Sequence, residues 1–221
     1  MPGINAYIFD CETTGLNEPE LIEAAWLEIS SILPTIFVGD GFNQQYKPSK
    51  PIEIGALATH HIMDEDLVNC PSSSSFSLPD GIQYLIGHNI DFDATVIGNP
   101  DVKCICTLAL ARKAWPELGS HTQSALMYFL YRTHAREKLK NAHSAKADVL
   151  ICASILKALV RHFGITTIEG LYEASELARI PTHMSFGKHK GCALTDLPVD
   201  YKRWLVGQSD IDPYLRAALQ T

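Results

Sequence analysis

The sequence predicts an α/β domain, on three observations. Apolar runs of strand length dominate the first third of the chain, helix-period segments dominate residues 107–178, and the short apolar runs at 82–87 and 103–106 lead directly into helical patterns. Strands first and alternation later place one sheet against flanking helices.

Residues 4–9 read as a buried first strand. Residues 21–29 alternate loosely and form a second, and residues 35–46, broken at Gly39-Asp40-Gly41, give a turn leading into a third. The spacing of Ile54, Leu57, Ala58, Ile62 and Leu67 predicts short helices, and the serine run after Cys70 a surface loop. Residues 82–87 are a fourth strand that delivers His88 and Asn89 at its end, and residues 103–106 a fifth. Helices follow at 107–114, stopped by Pro116, at 122–131, at 146–163, capped by Gly164, and at about 168–178. A compositional change near Arg179 divides a domain at 1–179 from a small module at 180–221, which is too short to be stable alone and is expected to pack on the rest.

Hydrophobic residues make up 46% and charged residues 19% of the 221, the balance of a soluble globular protein, and no apolar run reaches membrane-spanning length. The amino terminus has neither the basic start nor the apolar stretch of a secretory leader, so a cytoplasmic location is expected. The six cysteines lack the spacing of a zinc site or a disulfide framework. With 18 basic against 25 acidic residues the net charge is −7, opposite to that of a protein relying on broad phosphate neutralisation. Any contact with nucleic acid is therefore local or metal-assisted.

The strongest chemical signal is Asp10-Cys11-Glu12-Thr13-Thr14-Gly15. Residues two apart on a strand share a face, so Asp10 and Glu12 aim two carboxylates into one volume, where they repel unless a cation joins them. The competing reading is that acids, threonines and a glycine mark a strand's exit from the core. Asp93, on the helix after the fourth strand, is a candidate third ligand or a first-turn acid favoured by the helix dipole, and Asp91 fits a capping role. His143 precedes Asp148, which heads an apolar helix where an unpaired carboxylate would be costly.

Taken in order, Asp-x-Glu-Thr-Thr-Gly, His-Asn-x-x-Phe-Asp and His-x-x-x-x-Asp resemble the motifs of the DEDDh exonucleases, the superfamily of the polymerase proofreading subunit and of ribonuclease T. The segment from Cys106 to Pro116 and the tail from Phe186 to Gly191, with its following Pro-x-x-Tyr-x-x-Trp-Leu, are similar to the bacterial exonuclease X group. Two positions depart from the pattern: His61 stands where relatives often have glycine, and Cys106 where many have aspartate.

The resemblance implies an RNase H-like (DnaQ-like) fold with a mixed five-stranded central sheet. It implies a site in which Asp10, Glu12, Asp93 and Asp148 hold two Mg²⁺ or Mn²⁺ ions, with Asp10 bridging them, and hard oxygen donors suit those ions. His143, an imidazole that accepts protons near neutral pH, is the implied general base. Thr13 and Thr14 are implied to meet the terminal nucleotide, Leu16 to wedge against the last bases or else to be a core contact, and His60 and Asn89 to lie near the 3′ end or the ligands. Lys188 and Lys190 offer phosphate contacts or stand as a solvated hairpin. The implied activity is 3′→5′ hydrolysis of DNA from its 3′ ends to 5′-mononucleotides. An exoribonuclease of the same fold and a non-catalytic nucleic-acid or polymerase-binding module are the alternatives.

Overall fold

The computed structural model describes residues 5–140, 142–184 and 186–220. It contains a five-stranded sheet in the order β3-β2-β1-β4-β5, with β1 (Ala6–Thr13), β2 (Leu21–Ser31), β3 (Phe37–Gln45), β4 (Tyr84–Gly87) and β5 (Lys103–Cys106). β1, β2 and β3 form an antiparallel meander, while β4 and β5 join β1 in parallel, so the sheet is mixed as expected.

Two strands depart most from the sequence reading. β1 does not stop before the acids but runs through both Asp10 and Glu12 to Thr13, because β2 pairs with it along that whole length and supplies the hydrogen-bond partners that keep it extended. Ile4, expected to begin this strand, lies outside the described residues. β3 runs through Gly39-Asp40-Gly41, where a turn was expected. It is an edge strand whose register against β2 shifts twice, and glycine is tolerated at such irregularities.

The helices are α1 (Ile54–His60), α2 (Ile90–Val96), α3 (Thr107–Ala114), α4 (Gln123–Lys138), α5 (Ala145–Phe163), α6 (Ile168–Arg179), α7 (Val199–Val206) and α8 (Pro213–Gln220). α4 continues seven residues past the expected end at Tyr131, after a kink where that residue takes φ −137° and ψ 40°. Its second half is polar apart from the buried Ala135, so it shows no apolar period to read. α5 is capped at Ser144, whose side chain accepts from the Ala147 N–H, and at Gly164 with φ 63°.

The sheet buries both faces. Ala6 and Ile8 join Val149, Cys152, Ile155 and Leu156 of α5 in the larger core, whereas Phe9 and Cys11 join Leu85, Ile90 and Cys106 on the other side. A separate small core of Met184, Leu194, Leu197, Leu205 and Leu215 holds the last segment together. That segment is tied to α6 by Tyr214, whose hydroxyl donates to the Glu176 carboxylate at 3.2 Å and whose ring lies 5.3 Å from the Arg179 guanidinium. Among the described residues no single helix is long and apolar enough to cross a membrane.

Candidate active site

The row that begins with Ala6 and Ile8 in the core continues along the same face of β1 as Asp10 and Glu12. At that end of the core α5 begins, with Asp148 in its first turn. Carboxylate oxygens of Asp10, Glu12 and Asp148 lie within 4.8 Å of one another.

Asp93 approaches from α2. Pairing between β1 and β4 ends at Ile8, so the Cys11 backbone N–H, beyond the last strand partner on that side, is taken by Asp93 Oδ1 at 3.0 Å. The Cys11 thiol donates to the same oxygen at 3.2 Å. Gly87 makes this approach possible, since a Cβ there would meet the Phe9 carbonyl oxygen at 2.9 Å. Asp91, expected as a cap, instead forms an ion pair with Arg179, and the cap position is Asn89, in the left-handed region at φ 71° with no side-chain capping bond.

His143 also has positive φ, 68°. Its backbone N–H donates to Asp148 Oδ2 at 3.2 Å, and its side chain is exposed. Asn89, Leu108, Gln123, His143 and Asp148 share the walls of a cavity of about 600 Å³ beside the acids.

Glu23 was not singled out from the sequence, because a lone acid in an apolar strand carries no spacing signal. In the sheet it stands opposite Glu12, is 5% exposed, and its Oε2 accepts the Ala145 N–H at 2.8 Å. A carboxylate on the first backbone N–H groups of a helix is favoured by the local dipole, and here it pins the loop that carries His143 to the strand beside Glu12.

Burial and crowding raise Asp10, Glu12, Asp93 and Asp148 alike. Burial, followed by the charges of Asp93, Asp148, Glu12 and Glu23, holds Asp10 well above the usual carboxylate range. Burial and then Asp148 raise Glu12 to about 8, and burial raises Asp93 to about 7 against the two Cys11 hydrogen bonds. Asp148 rises to about 6 through burial, offset by His143. Such a set cannot be fully ionised at neutral pH without added positive charge. The donor chemistry fits a hard divalent cation, since the clustered ligands are carboxylate oxygens and the nearby Cys11 thiol is kept protonated by burial and the Asp93 charge.

The remaining expected residues gather around the loop after β1. The Thr13 hydroxyl donates to the Gly15 carbonyl at 3.0 Å, and the Thr14 hydroxyl accepts from the Glu20 N–H at 3.1 Å, so both side chains are engaged in shaping the loop. Gly15 suits that loop because its φ of 154° is a conformation that L side chains rarely adopt. Leu16 projects from this clamped loop with 84% of its surface exposed, which disposes of the core-contact alternative. His60 is buried at the end of α1, its Nδ1 accepting from the Ile62 N–H at 3.0 Å, with the Thr13 backbone close to the ring. Burial lowers its pKa. The departure at His61 also has a conformational meaning: the residue caps α1 at φ 59°, where glycine is the favoured occupant. Lys188 and Lys190 belong to the last segment and do not line the cavity beside the acids.

A mixed five-stranded sheet whose central strand and two following helices converge four carboxyls is the architecture of the RNase H-like, DnaQ-like exonucleases. The exonuclease family model of the ribonuclease T type matches residues 7–156, which include Asp10, Glu12, Asp93, His143 and Asp148, and the chain belongs to that metal-dependent family. A second family model, described as a quorum-sensing-regulated virulence factor, matches residues 173–210. Among curated relatives, exodeoxyribonuclease 10 of Escherichia coli K12 is 27% identical over 226 residues, covering 96% of each chain. The DNA polymerase III epsilon subunit of Buchnera aphidicola from Acyrthosiphon pisum is 31% identical over 163 residues, 64% of this chain and 66% of that one. The solved structure of exonuclease X in complex with 5′-overhanging duplex DNA superposes with a TM-score of 0.60 at 24% identity, covering 77% of this chain and 99% of that one. Cell-death related nuclease 4 does so with a TM-score of 0.53 at 16% identity, over 71% of this chain and 63% of that one.

Proposed function

We propose that this chain is a 3′→5′ exodeoxyribonuclease that removes 5′-mononucleotides from DNA 3′ ends, through a domain at 1–179 that carries the chemistry and a module at 180–221. The observation that carries this reading is the convergence of Asp10, Glu12 and Asp148 to within 4.8 Å, with Asp93 fixed behind Cys11, in a chain alignable end to end with an exodeoxyribonuclease.

In this reading Asp10, Glu12, Asp93 and Asp148 hold two Mg²⁺ or Mn²⁺ ions. When bound, such ions supply charge neutralisation at phosphorus and make water a better nucleophile. The protein's own groups do the rest. His143, exposed beside Asp148, accepts the proton of the attacking water on an imidazole nitrogen. Its left-handed backbone is held by the Asp148 carboxylate on one side and, through Ala145, by Glu23 on the other. The rigid loop at Thr13 and Thr14 receives the terminal nucleotide, Leu16 separates the last bases, and His60 and Asn89 border the 3′ end. The free state of Cys11, Cys70, Cys104, Cys106, Cys152 and Cys192 favours a reducing, cytoplasmic setting.

Matched DNA and RNA oligonucleotides incubated with Mg²⁺ test the proposal. Progressive shortening of the DNA with release of 5′-mononucleotides is expected. Equal or faster loss of the RNA would make the protein an exoribonuclease. Loss of neither, together with no divalent-metal binding in calorimetry, would make it a non-catalytic nucleic-acid module.

A further inference from the structure

The last segment holds a second cluster of chemistry that the acid site does not use. Residues 187–191 form a tight turn opened by Gly187 at φ 70° and closed by Gly191 at φ 85°, with the Gly191 N–H donating to the Met184 carbonyl at 2.8 Å. Gly187 lets the turn rest on α7, since a Cβ there would lie 3.2 Å from the Tyr201 hydroxyl. Leu205 and, one turn before it, Tyr201 pack against the small core, and Trp204 stands beside Tyr201 at the edge of that face with its indole exposed.

These two rings stack at 5.5 Å with a 29° interplanar angle, and the His189 ring lies 4.4 Å from Tyr201. Lys188 Nζ sits 5.2 Å over the Tyr201 ring. Together with Pro198 and Asp200 they line an open pocket of about 610 Å³. Trp204 is 56% exposed, and His189 Nε2 is buried without a hydrogen-bond partner. Lys188 lines the pocket, Lys190, Lys202 and Arg203 are close to its lining residues in sequence, only Asp196 and Asp200 are acidic in that stretch, and among the described residues none of the four cations is in an ion pair. In a chain of net charge −7 this is a local positive excess.

We propose that this pocket is a stacking platform for single-stranded DNA, which seats a base of the substrate strand against Trp204 and Tyr201 and its phosphates against Lys188 and Lys190. The chemistry specifies the ligand. Every base offers a π-face to an exposed indole, and Lys188 over the Tyr201 ring, with Lys190 two residues on in the same turn, supplies the charge that a polyanion needs. An apolar protein ligand would not use the cations, and a simple anion would not use the rings. Asp200, on the pocket wall, is available to the polar edge of the base. This inference rests on DNA being the substrate of the acid site and adds a second point of attachment, on a different module, that raises affinity without taking part in the chemistry.

The test uses the full chain with Trp204→Ala and with the Lys188→Ala/Lys190→Ala double substitution. Binding of a fluorescent oligothymidylate is followed by anisotropy in EDTA, where no cleavage occurs, across a range of salt. Trp204→Ala is expected to weaken binding by about tenfold or more. The double lysine variant is expected to flatten the salt dependence, lowering the slope by roughly 0.7 for each phosphate that the lysines neutralise in the wild type. Hydrolysis of the p-nitrophenyl ester of thymidine 5′-monophosphate, which engages the acid site alone, should be unchanged in both, while KM for the oligonucleotide rises at constant kcat. Wild-type affinity and wild-type salt slope in both variants would overturn the platform even if the enzyme cleaves DNA normally. A wild-type protein that cleaves neither substrate, yet binds oligothymidylate in a Trp204-dependent way, would overturn the exonuclease reading and leave the platform standing.

Discussion

Around Asp10 the fold gathers four carboxyls and Glu23 with no ion pair to any of them among the described residues, whereas around Trp204 it gathers three rings with Lys188 over one of them. The first cluster is half-buried and mutually repulsive, and it persists because β1, α2 and α5 are fixed by the cores on both sides of the sheet. The second is open to solvent and costs the fold little, since lysines in water carry no desolvation penalty. A site for chemistry thus sits where the structure is least able to move, and a surface suited to holding a strand sits on a small module with a core of its own.

The contrast can be broken most severely at its centre. Asp10→Asn should lower turnover by several orders of magnitude while raising the Tm of the metal-free protein at pH 8, because it removes one of the mutually repelling charges. A metal-free Tm that falls would mean that Asp10 contributes to the fold without a cation. His143→Ala should reduce kcat roughly 10²-fold and leave divalent-metal binding by calorimetry intact; near-normal turnover at pH 7.5 would remove His143 from the role of base.

A third expectation concerns pH. In the unfolded chain these carboxyls ionise near about 4, but in the folded protein Asp148, Asp93 and Glu12 do so near about 6, 7 and 8. Groups whose folded pKa is raised favour folding while protonated, and that contribution is lost as pH rises through the folded values. The metal-free protein should therefore lose Tm between about pH 5 and 8, and the Tm gain on adding Mn²⁺ should grow over the same range. An equal gain at both ends of that range would show that the acids are not what the ion relieves. The smallest expected effect lies outside both clusters: His61→Gly at φ 59° should raise stability by about 0.5–1 kcal/mol, read as a higher denaturant midpoint with activity unchanged.

Asp10 and Glu12 were legible because a period of two is local, and Asp148 because an acid heading an apolar helix stands out. β5 and α3 matched their expected limits for the same reason: their signals lie within their own residues. The length of β1 was not legible, since it depends on β2 pairing along both acids. Nor was the polar half of α4, which has almost no buried face to mark it. Asp91 looked like a cap by position, yet it pairs with Arg179, 88 residues away.

By itself the sequence determined the α/β class, the order of the acids and the histidine, and the aromatic and basic residues of the tail, because each is a matter of residue type and short spacing. Only the tertiary structure decided that Asp93 is oriented by Cys11, that Glu23 secures the start of α5 beside Glu12, and that Lys188 lies over Tyr201. The physical reason is common to all three. Each interaction joins segments brought together by strand register or by the docking of helices and turns, and those are fixed by burial summed over a whole core rather than by any local run of residues.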